Sequence, residues 1–378
     1  MIIGDIVQEK AEPVDGNSQR GIHEDPATLQ QQRKRDHLTF AQRYYDHTHQ
    51  DSVFRDVRPI HTALPESSVA AVDTHADLMQ GLQLEWPFYI EAMTGGSPES
   101  LRINEQLAAL AAKYQLAMAS GSQSIAVKHS DNADIRRSFT VIREQNPDGI
   151  VFANVGAHTG VGRARMAVEM LQANVLEVHV NAAQEIVMPE GDRGFYWLEN
   201  IASIVQGVDV PVIVKEVGFG MSRRDIERLS EAGVRLINVG GRGGTNFVLI
   251  ENARNEDLDF SELETWGQST PEALLEAQAA TQKMTNPPAI LATGGVRSPL
   301  DVIKAGMLGA CAVGVAGYFL NVLLSQGSNA LDETVDCWQR TLVRMMTLLG
   351  CKSFSELSQC DVVLTGNLLE YAKQRHLR

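Results

Sequence analysis

The sequence predicts an α/β fold, a (β/α)8 TIM barrel with a polar N-terminal extension. Two observations carry this. Eight short apolar stretches rich in Val, Ile and Ala follow one another from about residue 86, and amphipathic helical patterns lie between them. The stretches are continuous rather than alternating, the pattern of strands buried on both faces and so of a parallel sheet. Eight β–α units in series, without the reversal that marks a doubly wound sheet, close into a barrel.

The eight stretches are "PFYIEAM" (87–93), "LAMAS" (116–120), "GIVFANV" (149–155), "VLEVHV" (175–180), "VPVIVKEV" (210–217), "VRLINVG" (234–240), "AILATGG" (289–295) and "ACAVGV" (310–315). The clearest helices are "SLRINEQLAALAAKY" (100–114) and "SRRDIERLSEAG" (222–233), the second ending on Gly233 as a C-cap. The longest gap separates the sixth and seventh strands. It contains "ARNEDLDFSELETWGQSTPEALLEAQ", which reads as a lid or partner surface on the catalytic face. Residues 1–32 are polar and read as a mobile extension. Residues 33–85 read as an N-terminal arm and barrel-bottom segment, 86–345 as the barrel and 346–378 as a helical tail.

Composition excludes several function classes. The 378 residues carry 33 basic and 47 acidic side chains, a net charge of −14, which disfavours general binding to nucleic acid or anionic membrane. The four cysteines, Cys311, Cys337, Cys351 and Cys360, form no Cys-x-x-Cys pair and suggest neither a disulfide framework nor a zinc ribbon. A cytoplasmic protein is expected, with no signal pattern and no membrane-length apolar run.

Glycine-rich turns follow four strands: "MTGGS" (93–97), "GGRGGTNF" (240–247), "TGGVRS" (293–298) and "VAGYF" (315–319). Loops after the seventh and eighth barrel strands form the recurrent phosphate cradle of this fold, and glycine lets backbone N–H groups approach an anion. Thr245 can add a hydroxyl. Any one such loop is explained by a tight turn; three adjacent ones point to a phosphorylated cofactor. "NVGAHTGVGR" (154–163) imitates a dinucleotide fingerprint, but Arg165 stands where the third glycine should be.

Other strand ends carry polar groups. Lys215, deep in an apolar strand, needs an anionic ligand such as a reduced flavin, or a salt bridge to Glu216 or Glu185. Ser122 and Asn154 can hydrogen-bond a heterocycle or serve ordinary turns. On the fourth strand, His179 and Asn181 point to one side, and Gln184 and Glu185 follow. A single carboxylate there suits Mg2+, which combines one or two protein oxygens with substrate phosphates. Arg33, Lys34, Arg35, Asp36 and His37 form a charged cluster, either solvated or folded over the barrel mouth to grip a diphosphate.

Taken in order, "RKRDH", "MTGGS", "GSQS", "ANVGA", "HVNAAQE", "PEGDRGF", "VKEVG", "GGRGGTNF", "ATGGVRS" and "VAGYF" resemble type 2 isopentenyl-diphosphate isomerases over about residues 30 to 345. "HVNAAQE" and "RKRDH" are the specific elements; the glycine motifs alone say only FMN-dependent barrel. The resemblance implies an FMN- and Mg2+-dependent enzyme that interconverts isopentenyl and dimethylallyl diphosphate, its flavin reduced by NADPH with no net redox change. It implies FMN contacts from Met93, Thr94, Gly95, Ser122, Asn154, Lys215, Thr245, Gly294, Gly295, Val296, Arg297, Ala316 and Gly317. Arg33, Lys34 and His37 would hold the diphosphate. His179, Asn181 and Gln184 would line the substrate as the catalytic set, and Glu185 would bind Mg2+. The family also implies a homo-oligomer, a tetramer or octamer. Two positions depart from it: many members carry serine where Gly240 stands, and several carry arginine where Ser124 stands.

Moving a double bond requires an acid strong enough to protonate an alkene and a site that excludes water. The chain shows no obvious acid of that kind, so the expectation is that reduced FMN donates and recovers the proton through N5. Gln184 would orient the substrate or relay a proton. A hydroxyacid oxidase on the same barrel would need a histidine before "GGR", where this chain reads Val239-Gly240. A flavin-binding sensor without catalysis is the other alternative.

Overall fold

Each of the eight apolar stretches forms a strand. The computed structural model describes residues 26–45 and 52–377. The strands are β1 (Phe88–Ile90), β2 (Met118–Ala119), β3 (Val151–Gly156), β4 (Val175–Val180), β5 (Val212–Glu216), β6 (Leu236–Asn238), β7 (Ala289–Ala292) and β8 (Ala312–Val315). They pair in parallel in chain order, and β8 returns to β1 through Val313↔Phe88 and Val315↔Ile90, closing the barrel.

Side chains alternate across each strand, so residues two apart share a face. The lower interior is apolar: Tyr89, Phe152, Val175, Ile213, Leu236, Leu291 and Ala312 form one buried cluster. The hairpin of Ala76–Met79 and Leu82–Leu84 stops the barrel's floor with Leu78, Leu82 and Leu84. Two residues further along the same strands stand Glu91, Asn154, Glu177, Lys215, Asn238 and Thr293, all buried. A hydrophobic plug therefore carries a polar layer on top, at the end where the βα loops emerge.

Outside the strands, helices such as Pro98–Tyr114 bury one stripe, here Ile103, Leu107, Leu110 and Ala111. Ser97 caps that helix and Pro98 opens it. An aromatic group of Phe88, Phe319, Tyr318 and Trp338 joins the barrel wall to the helix Ser328–Leu348, with Phe319 and Trp338 ring centres 5.1 Å apart.

The ends depart from the boundaries expected above. A helix spans Pro26–Arg43, so residues 26–32, expected within a mobile extension, are helical; Pro26 suits the first turn and the glutamines that follow are good helix formers. Residues 1–25 lie outside the described residues. Residues 346–378 are not a purely helical tail: the helix Ser328–Leu348 runs across the boundary, and Val362–Leu364 pairs antiparallel with Val57–Pro59 before the helix Gly366–Gln374. β-branched Val362 and Val363 favour the strand. The Cys351 and Cys360 sulfurs lie 3.2 Å apart as free thiols.

Candidate active site

A cavity of about 430 Å³ opens over the polar layer at the C-terminal ends of the strands. That is room for a small ligand or part of a larger one. Its wall includes Met93 and Thr94 after β1, Ser122 and Ser124 after β2, Asn154 on β3, and His179, Asn181, Gln184 and Glu185 at the end of β4. Lys215, Thr245, Gly294, Gly295, Val296, Ala316 and Gly317 complete it from the later strands, and Arg33, Lys34 and His37 cover it from the helix Pro26–Arg43. Two expected cofactor contacts do not line it. Gly95 packs beneath Phe139, whose ring would lie 2.1 Å from an added Cβ, so close packing explains that glycine. Arg297 also lies outside the lining, and its backbone N–H donates to Asp301 Oδ2 at 3.0 Å.

The floor of the cavity is a continuous hydrogen-bonded belt. Thr293 Oγ1 donates to Asn238 Oδ1 at 3.0 Å, and Asn238 Nδ2 donates to Glu91 Oε2 at 3.0 Å. Lys215 Nζ donates to Glu91 Oε1 at 2.6 Å and to Glu177 Oε2 at 3.4 Å. Asn154 Nδ2 donates to Glu177 Oε2 at 3.0 Å, and Asn154 Oδ1 meets His179 Nδ1 at 2.8 Å. The partners of Lys215 are thus Glu91 and Glu177, not Glu216 or Glu185. Glu216 instead turns onto its own loop, accepting from the backbone N–H groups of Gly218, Phe219 and Gly220.

One ammonium cannot balance two buried carboxylates. Burial disfavours ionisation of Glu91, but Lys215 outweighs it and holds that carboxyl below its ordinary range. Burial and the Glu91 charge push Glu177 up to about 8. Burial pulls His179 down to about 3, helped by Lys215, His158, Lys34 and Arg33, so the imidazole is neutral at physiological pH.

At the exit of β4 the short helix Ala182–Val187 turns its polar residues into the cavity. Asn181 Nδ2 donates to Glu185 Oε1 at 2.9 Å and to Gln184 Oε1 at 3.2 Å. Glu185 Oε2 accepts from the Asp192 backbone at 2.9 Å. Arg193 fastens the following loop, donating to the carbonyls of Glu185, Met188 and Gly191. The helix Phe247–Arg254, inside the long gap between β6 and β7, adds the fully buried Glu251. Glu251 accepts from Gln184 Nε2 at 2.9 Å, from His37 Nε2 at 2.7 Å, and from Arg254. Burial opposes its ionisation, but His37, Gln184 and Arg254 together hold it down at about 2.

The glycine loops fit a phosphate. Gly294 and Gly295 have φ of +104° and +73°, and a Cβ on them would lie 1.9 Å from Gly241 O and 2.8 Å from Gly243 O. Beside them the helix Gly317–Gln326 begins with no side-chain cap, leaving its first N–H groups for an anion. Thr245 Oγ1 would stand 3.7 Å from a Cβ on Gly317. Behind this cradle, Lys215, Asn154 and Ser122 offer donors to a heterocycle. The donor set therefore suits a phosphorylated flavin. Gly240, at φ +49°, would place a Cβ 1.7 Å from Glu216 O, so a serine, the residue the resemblance would allow at this position, has no room in this backbone.

Comparison with known proteins agrees with this geometry. The FMN-dependent dehydrogenase family model matches residues 125–363. Isopentenyl-diphosphate delta-isomerase of Limosilactobacillus reuteri is 56% identical over 92% of this chain and 98% of its own. The chain belongs to the isopentenyl-diphosphate delta-isomerase family. The isomerases of Latilactobacillus sakei and Staphylococcus aureus are 46% and 42% identical, covering 93% and 92% of this chain and 98% and 97% of their own. Among solved structures, mandelate oxidase superposes with a TM-score of 0.60 at 15% identity, covering 89% of this chain and 98% of its own. Flavocytochrome b2 gives 0.61 at 19%, covering 91% and 88%. At that identity the likeness is one of fold. This isomerase-family chain is therefore an enzyme on an FMN-type barrel, and among the described residues no helix is long and apolar enough to cross a membrane.

Five residues of the belt and wall escaped the sequence reading: Glu91, Glu177, Asn238, Thr293 and Glu251. The first four each lie two positions after an inward apolar residue, Tyr89, Val175, Leu236 and Leu291, and that step of two was the available signal. Glu251 lies within a helix of the long gap, and its sequence surroundings do not distinguish it from a solvated carboxylate.

Proposed function

We propose that the chain interconverts isopentenyl diphosphate and dimethylallyl diphosphate, with FMN in the glycine cradle, Mg2+ on Glu185 and NADPH as reductant. One observation carries this reading. The Asn181–Gln184–Glu185 constellation and His179 share a single cavity with the phosphate cradle, roofed by Arg33, Lys34 and His37.

Arg33 and Lys34 would hold the diphosphate. Arg33 Nε is buried without a partner, and burial together with the neighbouring Arg33 charge lowers Lys34 to about 8, so both groups gain from an anion. Glu185 keeps lone pairs beyond those used by Asn181 and Asp192, enough for one protein ligand to a hydrated Mg2+ that also takes substrate phosphate oxygens. The reduced flavin, when bound, supplies the acid and base that move the alkene proton. Gln184, tied between Asn181 and Glu251, orients the hydrocarbon end, and His179 presents a neutral ring to it. Closure of the N-terminal helix over the mouth limits water near the reacting carbon.

The test is anaerobic turnover of isopentenyl diphosphate by protein loaded with FMN, NADPH and Mg2+. Dimethylallyl diphosphate is the expected product. A flavin that is reduced normally while the substrate stays unchanged would overturn the reading in favour of a non-catalytic flavoprotein. Oxidation of a 2-hydroxy acid is not expected, because the position a catalytic histidine would occupy is the buried Val239. A homo-oligomer, tetramer or octamer, belongs to the same reading and is checked by light scattering.

A further inference from the structure

The belt on the cavity floor has a direction. Lys215 Nζ can only donate, so Glu177 Oε2, 3.4 Å away, must accept. The same oxygen faces Asn154 at 3.0 Å, and when it carries no proton only the amide NH2 can meet it. An amide that turns its NH2 to one neighbour turns its carbonyl to the other. Asn154 Oδ1 therefore faces His179 Nδ1 at 2.8 Å and requires a proton there.

We propose that Glu177 and Asn154 are positioning residues that hold His179 as the Nδ1–H tautomer and leave its Nε2 as a bare acceptor for the cavity. The arrangement holds for the carboxylate, and for the neutral acid when its proton is on Oε1, which has no hydrogen-bond partner; a proton on Oε2 would instead donate to Asn154 and reverse the chain. The charged and titratable groups around Glu177 are Glu91 and Tyr89 from β1 and Lys215 from β5; the β3 neighbour, Asn154, is neutral. Gly156 makes room for two rings, since a Cβ there would lie 2.6 Å from His158 Cε1 and 3.2 Å from His179 Nε2.

The chemical consequence rests on the isomerase reading above. Protonation of an alkene builds positive charge on carbon, and a neutral ring offering a lone pair stabilises it where an N–H donor would oppose it.

The tautomer can be read directly from two-bond 15N–1H spectra of FMN-loaded protein labelled with 15N-histidine, with His179→Gln assigning the signal. The expected wild-type pattern is Nδ1–H throughout pH 6 to 9, a range spanning the value of about 8 for Glu177. Glu177→Gln, whose carbonyl still accepts, should keep that pattern. Glu177→Leu removes the acceptor but leaves the balanced Lys215–Glu91 pair, and should shift His179 toward Nε2–H. Its kcat should fall roughly 10-fold with KM changed by less than about twofold, the order seen when an outer hydrogen-bond partner is lost. An Nε2–H wild type overturns the proposal without any variant, and so does a Glu177→Leu protein that keeps Nδ1–H. If the tautomer shifts as expected while kcat is unchanged, the relay stands and the cation-stabilising role of His179 fails.

Discussion

His37 Nε2 lies 2.7 Å from Glu251 Oε1, and that contact joins the N-terminal helix to the helix following β6 across 214 residues of sequence. The same carboxylate orients Gln184. Loss of the carboxylate should therefore be felt both at the roof and at the wall of the cavity. Glu251→Ala is expected to cost about 2 kcal/mol in urea unfolding, because it leaves Gln184 and His37 without their acceptor, while Arg254 keeps Glu190 and Asp36. It should also lower kcat. Because the folded value is depressed from 4.5 to about 2, the carboxylate's contribution is complete above pH 4.5 and is lost as pH falls toward 2. The stability gap between wild type and Glu251→Gln should close over that window.

Glu177 has the opposite sign. Its folded value is raised from 4.5 to about 8, so the unfolded chain gives up this proton first and stability drains away as pH rises through that interval. Glu177→Gln has no such proton. The melting temperature of wild type, compared with that of Glu177→Gln, should fall between pH 5 and pH 8 and level off above it.

On the proposed reading, Lys34 would tie substrate affinity to pH. Burial lowers it to about 8, and an anion beside it would raise it again. KM for the diphosphate should climb as pH passes 8, and Lys34→Arg, which stays charged, should flatten that climb. Steady-state kinetics between pH 7 and 9.5 provide the check.

The cradle predicts a loss of flavin. Gly294→Ala would put a methyl group 1.9 Å from Gly241 O at a φ of +104°. FMN affinity should drop by at least about 10-fold, roughly the equivalent of one lost charged hydrogen bond or more. Fluorescence titration with FMN measures this, and the purified variant should be colourless.

Glu185→Gln removes the charge while keeping the hydrogen bond from Asn181. The Mg2+ concentration for half-maximal turnover should rise about 10-fold to 100-fold, with flavin content unchanged.

The barrel was legible because each strand advertises itself by an unbroken apolar run, as "VFANVG" (151–156) does on β3. The cradle was legible because only glycine tolerates the backbone of Gly294 and Gly295. The belt was not. Glu91 and Glu177 look like ordinary charges on a strand until closure of the sheet brings them to one lysine, and closure is a property of all eight strands together. Lys215 was recognised as needing a partner, but register rather than proximity in sequence chose which: His179 sits opposite Lys215, which leaves Glu177 reaching across from the same strand. The helical start at Pro26 was missed for a related reason. Its glutamines and basic residues carry no apolar stripe beyond the buried Leu38, and helix formation there leans on contacts with the barrel mouth.

The antiparallel pairing of Val57–Pro59 with Val362–Leu364 has a consequence for biosynthesis. One partner is translated before every barrel strand and the other after all of them. That clasp therefore waits for the ribosome to pass residue 364, so all eight barrel strands can pair before the two segments flanking the barrel are joined.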